Sequence, residues 1–341
     1  MGNNIRISEQ ELFYTYHEIL KKHGVEEEEA KTIAQVFTDN TKAGVITHSI
    51  SRFPLMIKYL DDGVIKPEAK PKLVSSFMAI EKWDADFGFG IISAMFCMNR
   101  AIDLAQKFGL GATVSVHSNH WMRPGYYGFM AAEKGFIGIC WTTTKKNMVP
   151  WGGTEPQIGN NPIVMAVPRE NGHMVLDTSM AQYSWGKIND YAANNKVLPT
   201  IGGYDLDGYP TDDPNKIKAS GKAIPAGFWK GSSMSIVLEA IAAALGQNAT
   251  VAQQTGNETA ETDMTQIFIA INPRCINENY NDNYLDAIAN DLNSCIPKEE
   301  NGFVRYPGQG AEILTRQSEN LGILVPKRAW EVLENMRSDR K

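Results

Sequence analysis

Between residues 111 and 176 the chain carries four short runs rich in β-branched residues, at 112–116, 137–142, 163–167 and 174–176, each bounded by Gly, Pro or Asn. Runs of that length and composition predict strands. A helical stretch, about 126–134, separates the first two; the others follow one another without a helix between them. A doubly wound sheet needs strand and helix in regular alternation. So uneven an order points instead to an α/β fold with a mixed sheet of unusual topology. A fifth strand is expected at 265–271.

Helices dominate on either side. Ser8 and Glu11 stand at capping-box spacing, and Leu12, Phe13, Tyr16, Ile19 and Leu20 then recur at helical period until Gly24. The acidic run 26–29 suits the start of a second helix, which places Ile33, Val36 and Phe37 on one face and closes at Gly44. A short helix through residue 60 and others over about 91–107, 232–245, 284–292 and 329–336 follow. The stretch 199–225, rich in Gly, Pro and Asp, has no apolar period and predicts a long surface excursion. The expected organisation is a helical domain drawn from both chain ends, 1–110 and 272–341, around a mixed α/β domain at 111–271. A length of 341 residues suits two domains of roughly 150 each.

Composition narrows the function. With 33 Lys+Arg against 39 Asp+Glu the net charge is −6, which argues against a broad nucleic-acid footprint but leaves room for a small anion pocket. The most apolar helical stretch, 236–245, contains Glu239 and falls far short of the roughly 20 residues a membrane span requires. The first residues hold no apolar core for a signal peptide. Cys97, Cys140, Cys275 and Cys295 are too scattered for a disulfide framework. Reduced thiols of this kind point to a cytoplasmic protein.

Several segments carry chemistry. Gly88-Phe-Gly90-Ile-Ile-Ser93 approaches a dinucleotide turn but lacks the third glycine and a preceding β-branched strand, so an ordinary helix start competes with it. His117 and His120 stand three apart beyond a strand. That spacing admits zinc and a hydrolase, yet no third His or Cys follows at ligand spacing, and no metal is assigned. His48 lies in a loop four residues before Arg52. An imidazole can give a proton near neutral pH, and a guanidinium can grip a carboxylate with two parallel hydrogen bonds. Together they are what reduction of a 2-oxo acid demands, although a helix-capping loop would use the same residues. Asp177-Thr178-Ser179 ends a strand and Trp229-Lys230-Gly231 precedes a helix. Both could serve phosphate or ribose oxygens, or Ser232 or Ser233 could simply cap that helix.

At these residues a resemblance emerges. Thr-His-Ser-Ile-Ser-Arg-Phe-Pro (47–54), Asn-His-Trp-Met-Arg (119–123), Ala-Ala-Glu-Lys-Gly-Phe-Ile-Gly-Ile-Cys-Trp-Thr (131–142), Pro-Trp-Gly-Gly (150–153), Ile-Gly-Asn-Asn-Pro (158–162) and Gly-Phe-Trp-Lys-Gly-Ser (227–232) are similar to segments of the malate/L-lactate dehydrogenase family that lacks a Rossmann fold. Asn-His-Trp-Met-Arg (119–123), Ile-Cys-Trp-Thr (139–142) and Ile-Glu-Lys-Trp-Asp-Ala (80–85) are similar to a subgroup acting on 2-oxo sugar acids. The resemblance implies a non-Rossmann mixed-sheet domain that binds NAD, with NADH ahead of NADPH, and an active site near a homodimer interface. It puts the proton donor at His48, a second active-site imidazole at His120 and the substrate-carboxylate grip at Arg52 beside Thr47. The cofactor segment falls on His173, Met174, Val175, Leu176, Asp177, Thr178 and Ser179, completed by Trp229, Lys230 and the turn Gly308-Gln309-Gly310. Relatives commonly carry an acidic residue in that turn; here the first acid after it is Glu312. The implied substrate is a carboxylated 2-oxo sugar acid, with malate, lactate, ureidoglycolate and cyclic imino acids as the family's other options.

Overall fold

A computed structural model describes residues 4–253, 260–300 and 302–338. The chain runs β1 (Asn4–Ile7), α1 (Glu9–Lys22), α2 (Glu27–Lys42), a 3-10 turn (Ile46–His48), α3 (Phe53–Asp61), β2 (Lys72–Phe77), β3 (Ile80–Asp84), α4 (Gly90–Phe108), β4 (Leu110–Ser118), α5 (Gly125–Glu133) and β5 (Ile137–Thr142). It continues through β6 (Ile163–Val167), β7 (Met174–Thr178), α6 (Trp185–Ala193), β8 (Gly203–Tyr204), β9 (Pro210–Thr211), α7 (Pro214–Ser220) and α8 (Trp229–Gly246). The last elements are β10 (Met264–Ile271), α9 (Asn283–Ser294), α10 (Gln309–Leu321), β11 (Ile323–Pro326) and α11 (Lys327–Ser338).

Seven strands form one mixed sheet in the order β2-β3-β4-β10-β5-β6-β7. The β3–β4 pair is parallel and the other neighbours are antiparallel. In the centre, β10 is buried along almost its whole length, and its side chains alternate between two cores, as strand geometry requires. Phe268 and Ala270 join Cys97, Met98, Ala101 and Tyr127 from α4 and α5 on one face. Ile267 joins Val114, Trp141 and Leu238 of α8 on the other. A separate core gathers Leu12, Tyr16 and Ile19 of α1 with Phe37 of α2, Phe53 of α3 and Trp330 and Leu333 of α11. The rings of Tyr16, Phe37 and Phe53 pack with centroids 4.7–5.4 Å apart. Antiparallel pairing of β1 with β11 brings the two chain ends into that core.

Ser8 caps α1, its Oγ accepting the Glu11 backbone N–H at 3.1 Å. Three local expectations change. The segment 72–84, where no strands were expected, forms β2 and β3 and lengthens the sheet ahead of residue 111. All six residues of β2 are exposed, so there is no half-buried alternation to find, and β3 is held by long-range parallel pairing with β4. The excursion at 199–225 contains β8, β9 and α7, with Ile217 packed on Ile188 and Leu198. Helix α10, which has no buried residue, was not anticipated either.

Gly90 opens α4 as an ordinary helix start. A Cβ there would overlap the carbonyl oxygens of Asn119 and His120, so glycine lets the helix end approach the strand exit that carries His120. We expect Gly90→Ala to lower stability by about 1–3 kcal/mol through overpacking, read as a lower urea midpoint at unchanged slope.

Candidate active site

Two chain turns create the site. After α2, Gly44 takes φ +78° and the chain folds into the 3-10 turn, where Ser49 Oγ donates to Val45 O at 2.8 Å and Ser51 N–H to Ile46 O at 3.1 Å. This turn presents Thr47 and His48, and Arg52 stands at the amino-terminal boundary of α3. The second turn leaves β4 through His117 and Met122, which adopt φ values of 50° and 65°. Left-handed backbone at such residues is sparsely populated and concentrates at functional sites. Asn119 anchors this exit: its Nδ2 donates to Phe87 O at 2.7 Å and Gly88 O at 2.9 Å, and its carbonyl accepts from Gln266 Nε2 at 3.1 Å.

The two turns stack His48 on His120, with ring centroids 5.9 Å apart and planes within 10°. Thr47 Oγ1 lies 3.2 Å from His48 Nδ1. The Met122 N–H donates to His120 Nδ1 at 3.0 Å, so the neutral His120 ring carries its proton on Nε2. Desolvation pulls His48 down to about 4, assisted by the positive charges of Arg52 and Arg123. Desolvation also drives His120 well below its ordinary value, with Arg52, His48 and Lys145 adding to the effect. Both imidazoles are therefore neutral at pH 7. Arg52 forms an ion pair with Glu261.

Lys145 and Arg123 were not among the expected site residues, nor was Glu261. Lys145 sits on the loop after β5, lowered by desolvation and by Arg52. Its neighbour Thr144 is held by Asn161, whose Oδ1 accepts the Thr144 N–H at 2.9 Å, and by Asn160, whose Oδ1 accepts from Thr144 Oγ1 at 3.0 Å. The Gly-Asn-Asn stretch thus positions the lysine loop. Arg123 ends the Asn-His-Trp-Met-Arg stretch; its charge is felt by both His48 and Asp177. A basic residue just past each strand exit was the signal available for both cations.

The proposed cofactor segments converge on β7. Val175 N–H donates to Pro307 O at 2.9 Å. Gly308, at φ +96°, lies so close that a Cβ would stand 3.0 Å from Val175 N and 3.1 Å from His173 O. Beyond β7, Met180 O accepts the Ala226 N–H at 2.8 Å, which draws the start of α8 with Trp229 and Lys230 to the strand end. Met174 is half-buried, Leu176 is exposed, and Thr178 Oγ1 donates to Ser179 O at 3.2 Å. Asp177 Oδ2 accepts the Gly125 N–H at 2.8 Å. Some of these groups are committed within the protein: His173 Nδ1 accepts from Arg169 N–H, and its Nε2 lies 3.0 Å from Glu133 Oε1. Gln309 Oε1 accepts the Tyr306 N–H at 3.2 Å, and Glu312 is held by Arg316 and Tyr306. Gly310 packs against the Arg305 guanidinium.

A cleft of about 1290 Å³ runs along this surface, with Arg123, Tyr126, His173, Val175 and Gly308 in its walls. Arg123 links it electrostatically to His48. The glycine-lined approach at 308 and the cations at 52, 123 and 145 suit a ligand with negative charge, as a dinucleotide pyrophosphate or a carboxylate has.

Two alternatives are overturned. Ser232 does not cap α8: Phe228 occupies the cap position without a side-chain bond, and Ser232 Oγ accepts the Trp151 N–H at 3.0 Å. The two histidines of the zinc alternative part company, since His117 Nδ1 contacts Asp84 Oδ1 at 2.9 Å and its ring stacks on Phe87. Among the described residues no group of three or more His, Cys, Asp or Glu side chains is gathered to hold a metal ion, and none of the helices is long and apolar enough to cross a membrane.

Residues 7–334 match the malate/L-lactate dehydrogenase family model, and the chain belongs to that family. It is an oxidoreductase of the dehydrogenase/reductase type, and the family's dehydrogenases use NAD(P)H. The chain is 38% identical over 331 residues to 2,3-diketo-L-gulonate reductase of Escherichia coli strain K12, covering 97% of this chain and 99% of that protein. It is similar in structure to sulfolactate dehydrogenase from Methanocaldococcus jannaschii, with a TM-score of 0.86 at 29% identity over 97% of this chain and 96% of that one. Malate dehydrogenase from Entamoeba histolytica shares the fold, with a TM-score of 0.90 at 23% identity over 98% of each chain.

The His48 environment has a measurable consequence. An unfolded imidazole takes its proton at about 6.5, whereas folded His48 does so near 4. Between those values the unfolded chain binds more protons, so this residue's contribution to stability rises with pH and is lost as pH falls from about 6.5 toward 4. Imidazole NMR should give a His48 midpoint near 4, and Arg52→Gln should raise it.

Proposed function

We propose that this protein reduces a carboxylated 2-oxo sugar acid with NADH, 2,3-diketo-L-gulonate to 3-dehydro-L-gulonate being the reaction we favour. The observation that carries the proposal is the stacked His48–His120 pair with Arg52 beside it. The identity to 2,3-diketo-L-gulonate reductase across nearly the whole chain supports the substrate.

In this mechanism Arg52 grips the substrate carboxylate, aided by Thr47 at the rim, and so fixes the adjacent C2 carbonyl. His173–Ser179, Trp229–Lys230 and Gly308–Gly310 would hold NADH, whose chemistry there would be hydride donation. His48 delivers a proton to the C2 oxygen. Because the empty site keeps His48 neutral, the ring must first take up that proton. A carboxylate at Arg52 offsets one of the positive charges that hold His48 down, so substrate arrival favours the uptake. His120 offers its Nε2 proton as a hydrogen-bond donor next to the same ring. We further propose that the enzyme works as a cytoplasmic homodimer and accepts NADPH less readily than NADH.

The test is NADH and NADPH consumption by purified protein across 2,3-diketo-L-gulonate, oxaloacetate, pyruvate and a cyclic imino acid. The proposal fails if no oxo acid consumes either cofactor, and the substrate assignment fails if another acid is clearly preferred. His48→Ala should lower kcat about 10²–10⁴-fold while circular dichroism and NADH binding persist. Arg52→Lys keeps the charge but loses the planar fork; a raised KM is expected, and an unchanged KM would count against the carboxylate grip.

A further inference from the structure

The guanidinium at position 52 already carries an anion. Glu261 forms an ion pair with Arg52, and these two side chains are only 17% and 22% exposed. The acid is tied down at a second point, because the Glu261 backbone N–H donates to Tyr59 Oη at 3.4 Å. Arg52 and Tyr59 stand seven residues apart, two turns of α3, and so on one side of it. Glu261 is therefore fixed against the α3 face that begins at the proposed substrate grip. The charge of Arg52 is in turn felt by His48, His120 and Lys145. Arg123 interacts instead with Asp177 and Asp39.

We propose that Glu261 sets the charge class of the substrate: it admits monocarboxylates whose remaining groups donate hydrogen bonds and rejects molecules with a second negative charge. One incoming carboxylate can share Arg52 with Glu261, with the charge of Lys145 nearby. A second carboxylate or a sulfonate on the same small molecule brings a further negative charge into a poorly solvated site that already holds the Glu261 carboxylate, where like charges repel strongly. A hydroxyl at that place donates to the Glu261 carboxylate instead. Rejection by a fixed repulsive group is a common source of specificity between close analogues. The inference rests on Arg52 as the carboxylate grip proposed above, and it separates sugar monoacids from four-carbon dicarboxylates.

The probe pair is gluconate and glucarate, which differ in a terminal CH2OH against a carboxylate. Their binding to the protein saturated with NADH is measured by calorimetry for wild type, Glu261→Gln, Glu261→Asp and Arg52→Gln. Wild type should favour gluconate by about tenfold or more. Glu261→Gln should bring the ratio close to one while circular dichroism is unchanged, and Glu261→Asp should keep the preference. Equal binding of the two anions to wild type, or a ratio that Glu261→Gln leaves unaltered, overturns the inference. Arg52→Gln should weaken both anions; if it weakens neither, the grip itself is wrong and the inference falls with it. If the ratios behave as expected but no oxo acid is reduced, charge selection stands and the reductase proposal falls.

Discussion

Asn119 is the joint on which the candidate site depends. Its side-chain amide is shared between the Phe87 and Gly88 carbonyls, and its own carbonyl is held by Gln266 on β10. Three distant stretches of chain therefore meet at one buried residue, and breaking the hydrogen bonds it does make would leave buried groups unpaired, which is costly. The next residue is His120. With the β4 exit fixed and Gly90 allowing α4 to press against it, the imidazole stacks on His48 of the 3-10 turn. The helical core fixes that turn in its place, since Ile50 and Phe53 on either side of Arg52 are fully buried.

This arrangement carries an electrostatic cost. Arg52, Arg123 and Lys145 are all held in surroundings that desolvate them. Positive charge gathered in poorly solvated space destabilises a fold unless anions oppose it. Glu261 opposes Arg52 and Asp177 opposes Arg123, each from a segment remote in sequence. Desolvation, with these positive charges adding to it, keeps the two imidazoles unprotonated. In the mechanism proposed above, an anion bound beside Arg52 would make the imidazoles easier to protonate.

Much of the local structure was legible because it rests on short-range rules. The Ser8–Glu11 cap, the apolar faces of α1 and α2 and the strands at 137–142 and 163–167 all follow from patterns within a dozen residues. Strands β2 and β3 were not, since an exposed strand has no alternation and a parallel partner 30 residues away leaves no local mark. Helix α10 buries none of its residues, so no apolar face announced it. The Gly-Asn-Asn stretch was conspicuous as a motif, but its work, clamping Thr144 and with it the Lys145 loop, could not be read from spacing.

The amino-acid order alone established an α/β chain of irregular strand order, the Ser8 cap of α1, and an imidazole and a guanidinium four residues apart, because each of these is encoded by neighbours along the chain. Which charges oppose which, and which imidazole faces which, came from folding. His48 and His120 are 72 residues apart and Arg52 and Glu261 are 209 apart, and such pairs acquire meaning only when the sheet and the helical core close around them. Desolvation decides their protonation, and it is a property of the packed surroundings that no stretch of sequence possesses by itself.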